Sequence, residues 1–293
     1  MNSKPEAPWT VLRLLNWTKE YFAQAGLEEP RLAAEVLLAH ALGLERIQLY
    51  AGFDHQPPPE QLASFRDMVQ RARQHEPIAY LVGSKEFYSL KFKVTPDVLI
   101  PRPETEALVA EAVAHLKSLG RDGLVWDVCT GSGCVAIAVA KQVPAVRVLA
   151  TDVCDAAVAI ACENARTHGV QDRLRCRQAD LLTLPADCDD LAAFDVITAN
   201  PPYVAQGEKV AETVQHEPKL ALYAGADGLD AIRPIVRDAP GLLRDGGSLI
   251  LEFGYAQADA VRDLIVAGGR FEEPRILPDH QGIERTAVAR RRE

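Results

Sequence analysis

Cysteines and histidines at metal-ligand spacing are missing from this 293-residue chain. Its six cysteines, Cys129, Cys134, Cys154, Cys162, Cys176 and Cys188, contain no CxxC pair and all lie between residues 129 and 188. Their neighbours are apolar strand and helix segments, so buried free thiols are the expectation. The seven histidines show neither HxxxH nor HExxH spacing, and no metal site is expected. Long apolar runs are also missing. A stretch such as 135–140 is far short of the ~20 residues that cross a bilayer, so no membrane segment is expected. Residues 1–6 have no basic start leading into an apolar stretch. No signal peptide is visible, and a cytoplasmic protein is the expectation. Basic charge is in deficit, with 32 Lys and Arg against 41 Asp and Glu and a net charge of −9. Proteins that grip nucleic acid carry a basic face to neutralise phosphates, so no direct nucleic-acid partner is expected.

What is present is the composition of a globular enzyme, 48% hydrophobic and 25% charged, at a length that suggests two domains. The first part reads as helical. Thr10 can cap a helix carrying Val11, Leu14, Leu15, Thr18 and Phe22 at three- and four-residue steps and ending at Gly26. A second helix starts near Pro30, carries Ala33, Ala34, Leu37, Leu38 and Ala41, and stops at Gly43. A third spans 60–73. This bundle holds no catalytic constellation, and composition leaves a stabilising cap and a partner-recognition module equally open. Over 86–100 the pattern predicts a β-hairpin, with Phe87, Leu90, Phe92 and Val94 alternating with polar residues and a short apolar run at 98–100. Residues 101–106 then break the strand and start a helix containing Leu108, Val109, Ala112 and Val113.

From Gly123 strands and helices alternate. Strands are expected at 124–128, 146–150, 174–177, 194–198, 248–253, 271–277 and 286–289, with helices between most of them, including 135–142 and 156–167. Such alternation predicts an α/β fold with a mostly parallel, doubly wound sheet. The expected division is a helical domain at 1–84, a hairpin linker at 85–106 and a catalytic domain at 107–293.

The segment Asp127-Val128-Cys129-Thr130-Gly131-Ser132-Gly133 ends the first of these strands and opens a helix. Glycine there lets backbone approach a ligand without Cβ interference, and open α/β sheets bind ligands at the carboxyl ends of such strands. Asp152 ends the next strand, where a carboxylate can accept from both hydroxyls of a ribose. Two cofactors compete for this pattern. Gly131-x-Gly133-x-x-Ala136 with Asp152 is a tolerable dinucleotide fingerprint. Asp127-x-Cys129-x-Gly131-x-Gly133 resembles the first motif of class I methyltransferases, with cysteine in place of one glycine.

The fourth strand runs into Asn200-Pro201-Pro202-Tyr203. Two prolines must leave a sheet at once, having no N–H to donate, and a rigid exit turn would account for that much. The residues also suit a harder chemistry. An amide nitrogen is a poor nucleophile because its lone pair is delocalised into the carbonyl. Asn200 Oδ1 and the Pro201 carbonyl are acceptors for the two N–H bonds of an NH₂ group, and they would aim its lone pair at an electrophilic methyl. Tyr203 offers a flat face for the planar group. Such a loop resembles that of amino methyltransferases acting on planar NH₂ groups, which decides between the two cofactors in favour of S-adenosylmethionine.

Nearly the whole chain resembles the PrmC/HemK family, which methylates the glutamine of the Gly-Gly-Gln motif in peptide chain release factors. The markers are Pro77-x-x-Tyr80-x-x-Gly83-x-x-x-Phe87, then Leu99-Ile100-Pro101-Arg102-Pro103-Glu104-Thr105-Glu106, and the loop from Asn200 to Tyr203. Glu217-Pro218 with Leu220-Ala221-Leu222, Asp227-Gly228-Leu229, Leu251-Glu252-Phe253-Gly254 and Asp279-x-x-Gly282-x-Glu284-Arg285 complete the set. The resemblance implies a class I S-adenosylmethionine methyltransferase fold, Rossmann-like and with a mostly parallel seven-stranded sheet, preceded by a small helical bundle and a β-hairpin. It further implies that Cys129, Thr130, Gly131, Ser132 and Gly133 contact the methionine part of the cofactor and Asp152 its ribose, with Asp127 and Asn200 also among the cofactor-binding residues. By the same resemblance Asp180 and Leu181 flank its adenine, and Asn200, Pro201, Pro202 and Tyr203 grip the substrate glutamine. The helical domain would engage the release factor, and a monomer is expected. A Cβ at Cys129 is tolerable at a negative φ, where its bulk would still crowd the cofactor. The two rival readings are an adenine N6 methyltransferase acting on nucleic acid and a cofactor-binding protein without activity.

Overall fold

The structure, a computed structural model, describes residues 8–191 and 193–293. Contacts divide the chain into two compact units, one taking the chain up to Gly83 with Ala211–His216, the other Ser84–Val210 with Glu217–Glu293.

The first unit is built from α1 (Val11–Gln24), α2 (Pro30–Leu42), α3 (Arg46–Ala51), α4 (Pro59–Arg73) and α5 (Ile78–Val82). Thr10 Oγ1 accepts from Arg13 N at 3.3 Å and starts α1, whose buried face is Val11, Leu14, Leu15, Thr18 and Phe22. Pro30 opens α2 and Gly43, at φ 66°, closes it in the left-handed region. Their apolar faces meet Leu49, Phe65, Met68 and Val69 in one core. The short helices α3 and α5 were not expected, because five or six residues are too few to show a period. Buried Glu35 ties α2 to α3 by accepting from Arg31 Nε at 2.9 Å, Arg46 Nη2 at 3.1 Å and Tyr50 Oη at 2.5 Å.

The second unit opens with a hairpin of β1 (Ser84–Phe87) and β2 (Leu90–Lys93). It is tighter than the expected 86–100, and residues 98–100 form no strand. Tyr88 and Ser89 turn the chain with φ of 50° and 60°. This is the double left-handed turn that asparagine and glycine usually mark, and neither residue is there to signal it. A short 3₁₀ turn at Pro103–Thr105 leads into α6 (Glu106–Ser118).

The remaining elements are β3 (Leu124–Val128), α7 (Cys134–Gln142), β4 (Arg147–Asp152), α8 (Asp155–Thr167), β5 (Leu174–Gln178) and β6 (Phe194–Ala199). After them come α9 (Ile232–Leu242), β7 (Leu243–Glu252), α10 (Ala258–Ala267), β8 (Arg275–Pro278) and β9 (Glu284–Arg290). The seven strands from β3 onward lie in the order β5-β4-β3-β6-β7-β9-β8. Neighbours from β5 to β7 pair parallel, while β9 is antiparallel to both β7 and β8. Phe271 was expected to begin the strand before β9. It makes only an isolated bridge to Arg291, and β8 starts at Arg275.

Alternation along the strands assigns the two faces. Val125, Val148, Ala150 and Val196 pack with α6, α7 and α8, whereas Leu124, Trp126, Val128 and Leu149 pack with α9 and α10. Strand order reverses at β3, where β4 lies on one side and β6 on the other. A crevice forms outside the carboxyl ends of strands at such a reversal. Register makes the consequence specific. Val128 pairs with Thr151 of β4 and with Ala199 of β6, so the next residues, Cys129, Asp152 and Asn200, leave the sheet side by side. Among the described residues, no helix is long and apolar enough to cross a membrane.

Candidate active site

Three loops leave the sheet at that reversal, and a cavity of about 480 Å³ opens beside them, within the size range of small-molecule sites. Its lining includes Asp127, Cys129, Thr130, Gly131, Ser132, Asp152, Asp180, Leu181, Asn200 and Pro202 of the sequence-predicted residues. Gly133, Pro201 and Tyr203 are not part of the lining.

The loop after β3 is held from below. Asp127 is buried, and its carboxylate accepts from Thr130 Oγ1 at 2.6 Å and Thr198 Oγ1 at 2.7 Å. Burial nevertheless outweighs these two bonds and pushes its pKa up to about 6. Gly131 has φ 52° and open space where a Cβ would stand, so backbone is what it presents to the cavity. Gly133 serves packing instead. A Cβ there would sit 3.1 Å from both Ala161 Cβ and Ile137 Cδ1, so the glycine lets α8 close on the loop. Asn164 of α8 adds a polar tie, its Nδ2 donating to Ser132 O at 2.8 Å and to Lys93 O at 3.0 Å.

Cys129 has φ 56°. The negative φ that would make a Cβ harmless is therefore not what the loop adopts. A left-handed residue other than glycine costs ~1–2 kcal/mol, and this half-buried cysteine carries that strain. Burial, followed by the nearby carboxylates of Asp152, Asp127 and Asp180, raises its thiol pKa, so it is no nucleophile.

Asp152 closes the other side. Its Oδ2 accepts from Gly131 N at 2.9 Å and its Oδ1 from Cys154 N at 3.0 Å. Each oxygen keeps a lone pair free, so the carboxylate that fixes the glycine loop also remains an acceptor toward the cavity. Burial raises its pKa against those amide bonds. Leu181 follows β5 with φ 45° and brings an apolar side chain to the same cavity.

After β6 the chain leaves the sheet at Asn200. Asn200 Nδ2 donates to Thr105 Oγ1 at 3.1 Å, whereas its Oδ1 is buried and has no partner. A buried acceptor left empty costs ~1–3 kcal/mol, which marks it as a group awaiting a donor. The turn beyond is anchored by Tyr203 O, which accepts from Gln257 Nε2 at 3.0 Å, and by a bridge between Val204 and Tyr223. The Tyr203 hydroxyl donates to Glu252 Oε1 at 3.3 Å. The expected flat face for a substrate is thus a ring engaged with the end of β7. Burial first, then Glu252, raises the phenol pKa.

Several residues given no role from the sequence stand in this site. Thr105 lines the cavity and holds Asn200. Glu252 is buried, and its pKa is pushed up to about 7 by that burial, against the hydrogen bond from Tyr203. Buried Glu217 accepts from Ile100 N at 3.1 Å and pairs with Arg102, which lines the cavity as Pro218 does. All of them fall inside the marker segments, which was the available signal; what they touch was not readable there.

An adenosine-bearing methyl donor suits these groups: glycine backbone and an open φ at Gly131, a carboxylate acceptor at Asp152, and an apolar wall at Leu181. Residues 13–83 match the family description "PrmC N-terminal domain" and residues 105–225 "Methyltransferase small domain". The chain is 42% identical over 287 residues to a release factor glutamine methyltransferase of Rhodopirellula baltica, covering 96% of each chain. It is 40% identical to one of Geobacter sulfurreducens, covering 99% of each. Among solved structures it is similar in fold to a methyltransferase from Pyrococcus furiosus, with a TM-score of 0.50, 15% identity, and 78% and 98% of the two chains covered.

Proposed function

The chain belongs to the release factor glutamine methyltransferase family, and from that premise we propose how its own residues carry out the transfer. The protein is an S-adenosylmethionine-dependent enzyme that methylates the side-chain amide nitrogen, N5, of a release factor glutamine. The relatives give no support to an adenine methyltransferase or to an inactive cofactor binder.

The observation that carries the site assignment is the buried, partnerless Oδ1 of Asn200. It takes one N–H of the substrate amide and the Pro201 carbonyl takes the other, which holds the NH₂ plane and directs the nitrogen lone pair into the cavity. Asp152 accepts from the ribose hydroxyls while keeping Gly131 in place. The glycine loop from Cys129 to Ser132, based on Asp127 and closed against α8 at Gly133, lies along the methionine part, and Asp180 with Leu181 flanks the adenine. The bound cofactor supplies an electrophilic methyl group and its own leaving group, so no side chain needs to act as a nucleophile. Pro202 keeps the loop rigid. Tyr203 supports it from behind through Glu252.

The glutamine acted on is the one in Gly-Gly-Gln, and the helical unit, residues 1–84 of the sequence division, engages the release factor. Supporting that role, Trp17 is 46% exposed and stacks on Tyr21 at 4.8 Å, with Arg73 over the Tyr21 ring. Aromatic rings with arginine are the groups that carry protein contacts. The net charge of −9 supports a protein rather than a nucleic-acid substrate. A monomer is part of the same proposal, and a translation factor as substrate supports a cytoplasmic location.

The test is peptide mass spectrometry of an unmethylated release factor incubated with the enzyme and S-adenosylmethionine. One added methyl on the Gly-Gly-Gln glutamine, lost in Asn200→Ala with cofactor affinity retained, is the expected result. Asp152→Ala is expected to weaken cofactor binding first. Loss of cofactor binding in Asn200→Ala, or unchanged affinity in Asp152→Ala, overturns the respective assignment.

A further inference from the structure

The two prolines leave the substrate loop short of anchors. Pro201 and Pro202 have no N–H to give to a neighbour, so carbonyls and side chains must hold the segment. The Tyr203 carbonyl accepts from Gln257, three residues past the marker that ends at Gly254. Resting on the reading of Asn200 above, we propose that Gln257 is a positioning residue for the transfer. Its side-chain amide clamps the substrate loop to the wall of the cavity at 225–231 and so sets where the acceptors of Asn200 and Pro201 stand.

The Gln257 amide is fully used. Nε2 donates to Tyr203 O at 3.0 Å and to Asp227 O at 3.1 Å, which accounts for both of its N–H bonds. Oε1 accepts from Gly254 N at 2.7 Å. A nitrogen facing two carbonyls and an oxygen facing an N–H allow one orientation. Flipped, the amide would set oxygen against two oxygens and NH₂ against N–H. Three backbone groups therefore fix its polarity. The side chain is aimed by its own backbone as well, since Gln257 N donates to Gly254 O at 3.2 Å. One residue thus takes both polar groups of Gly254, and the turn that leads into α10 carries the amide to its partners.

Two glycines make room for it. A Cβ on Gly228 would overlap Tyr203 O and stand 2.6 Å from Gln257 Nε2, and one on Gly254 would stand 2.9 Å from Gln257 Oε1 and 3.1 Å from Tyr203 Cδ2. Backbone approaches the amide there more closely than a side chain would permit. The loop after β6, the turn at Asp227 and Gly228, and the end of β7 all close on this one group. Beyond Tyr203, Val204 N donates to Leu222 O at 2.8 Å and Ala224 N to Val204 O at 2.9 Å. Those bonds leave the Tyr203 carbonyl to Gln257. The segment that the other N–H holds, at Asp227 O, carries Gly225, Asp230 and Ala231 into the cavity lining. The prolines stiffen the chain between Tyr203 and Asn200, so a shift at Tyr203 passes on to the acceptors instead of being absorbed.

Two measurements on the full-length enzyme test the inference separately from the substrate reading. Gln257→Glu keeps the shape and the acceptor for Gly254 N but, as a carboxylate, loses both donors. Gln257→Met keeps the length and loses all three bonds, without setting a charge against two carbonyls. In steady-state methylation of a release factor, both are expected to lower kcat by roughly 10- to 100-fold. Cofactor Kd should stay within about threefold and binding stoichiometry should be unchanged, which separates misplacement from an unfolded fraction. The second measurement, hydrogen exchange by mass spectrometry, needs no substrate. Exchange is expected to rise in peptides covering 200–206 and 225–231 but not in those covering 127–133. Wild-type kcat in both variants, unchanged exchange over 200–206, or loss of cofactor binding in both overturns the proposal. A wild-type enzyme inactive on release factor, with exchange rising in the variants as described, would overturn the substrate reading while supporting the clamp.

Discussion

Asp127 and Thr198 stand opposite each other on neighbouring parallel strands, and the Thr198 hydroxyl donates to Asp127 Oδ1 at 2.7 Å. The carboxylate beneath the cofactor loop is thus tied to the strand that carries the substrate loop. Its folded pKa, about 6, is raised from 3.8 chiefly by burial. For an acid shifted this way, stability is fully present below pH 3.8 and is lost as pH rises through 6. Ionising it in the fold costs on the order of 2–3 kcal/mol. Urea unfolding of cofactor-free Asp127→Asn should therefore gain on wild type by about that amount as pH rises across that interval. Parallel stability curves for the two proteins would refute it.

Cys129 occupies a left-handed position, φ 56°. Alanine there keeps the Cβ strain and glycine removes it, at the expense of some unfolded-state entropy. Cys129→Gly is expected to be more stable than Cys129→Ala by ~1 kcal/mol and to bind S-adenosylmethionine more tightly than wild type. Thermal unfolding and calorimetric titration measure the two effects. Equal stability of the two variants would show that the loop does not hold this φ in solution.

Glu217 is 4% exposed and answers both Ile100 N and Arg102. Removing a buried partner leaves the other groups uncompensated, at ~3–5 kcal/mol for a fully buried pair. Because Arg102 is 31% exposed on its side chain, Glu217→Ala is expected to cost about 2 kcal/mol in denaturant unfolding. Since Arg102 and Pro218 both line the cavity, KM should also rise. A loss under about 0.5 kcal/mol would show the pair to be solvated.

Gly228 gives the Asp227-Gly228-Leu229 marker a physical meaning. A Cβ on it would lie 2.1 Å from Tyr203 O and 2.6 Å from Gln257 Nε2, and its φ is 75°. Gly228→Ala must push the substrate loop out of place, and a displacement of about 1 Å can cost roughly 100-fold in rate. Methylation should fall steeply while cofactor affinity, set on the other side of the cavity, stays within about threefold. Retained kcat would mean that the loop tolerates the shift.

Most elements were legible because their causes are local. Thr10, Pro30 and Gly43 mark helix ends through backbone groups only a few residues away. The alternation through 124–128 and 146–150 reports which side of a strand is buried wherever that strand sits. The loops at Cys129–Gly133 and Asn200–Tyr203 were likewise readable, since glycine and proline act on their own backbone. The turn at Tyr88 and Ser89 was not, because those residues have no intrinsic preference for positive φ and the pairing of Phe87 with Leu90, which leaves two residues to turn the chain, imposes it. Nor was the sign of φ at Cys129, which the glycine-loop geometry imposes against the residue's own preference. Thr105 and Asn200 are 95 positions apart, and Tyr203 and Glu252 are 49. Their alliance exists only because the β6–β7 register sets Asn200 and Glu252 side by side and the turn before α6 brings Thr105 to Asn200. A residue type carries its donors and acceptors in the sequence, but the direction in which a hydrogen-bond chain runs depends on which groups the fold makes neighbours and which it seals from water.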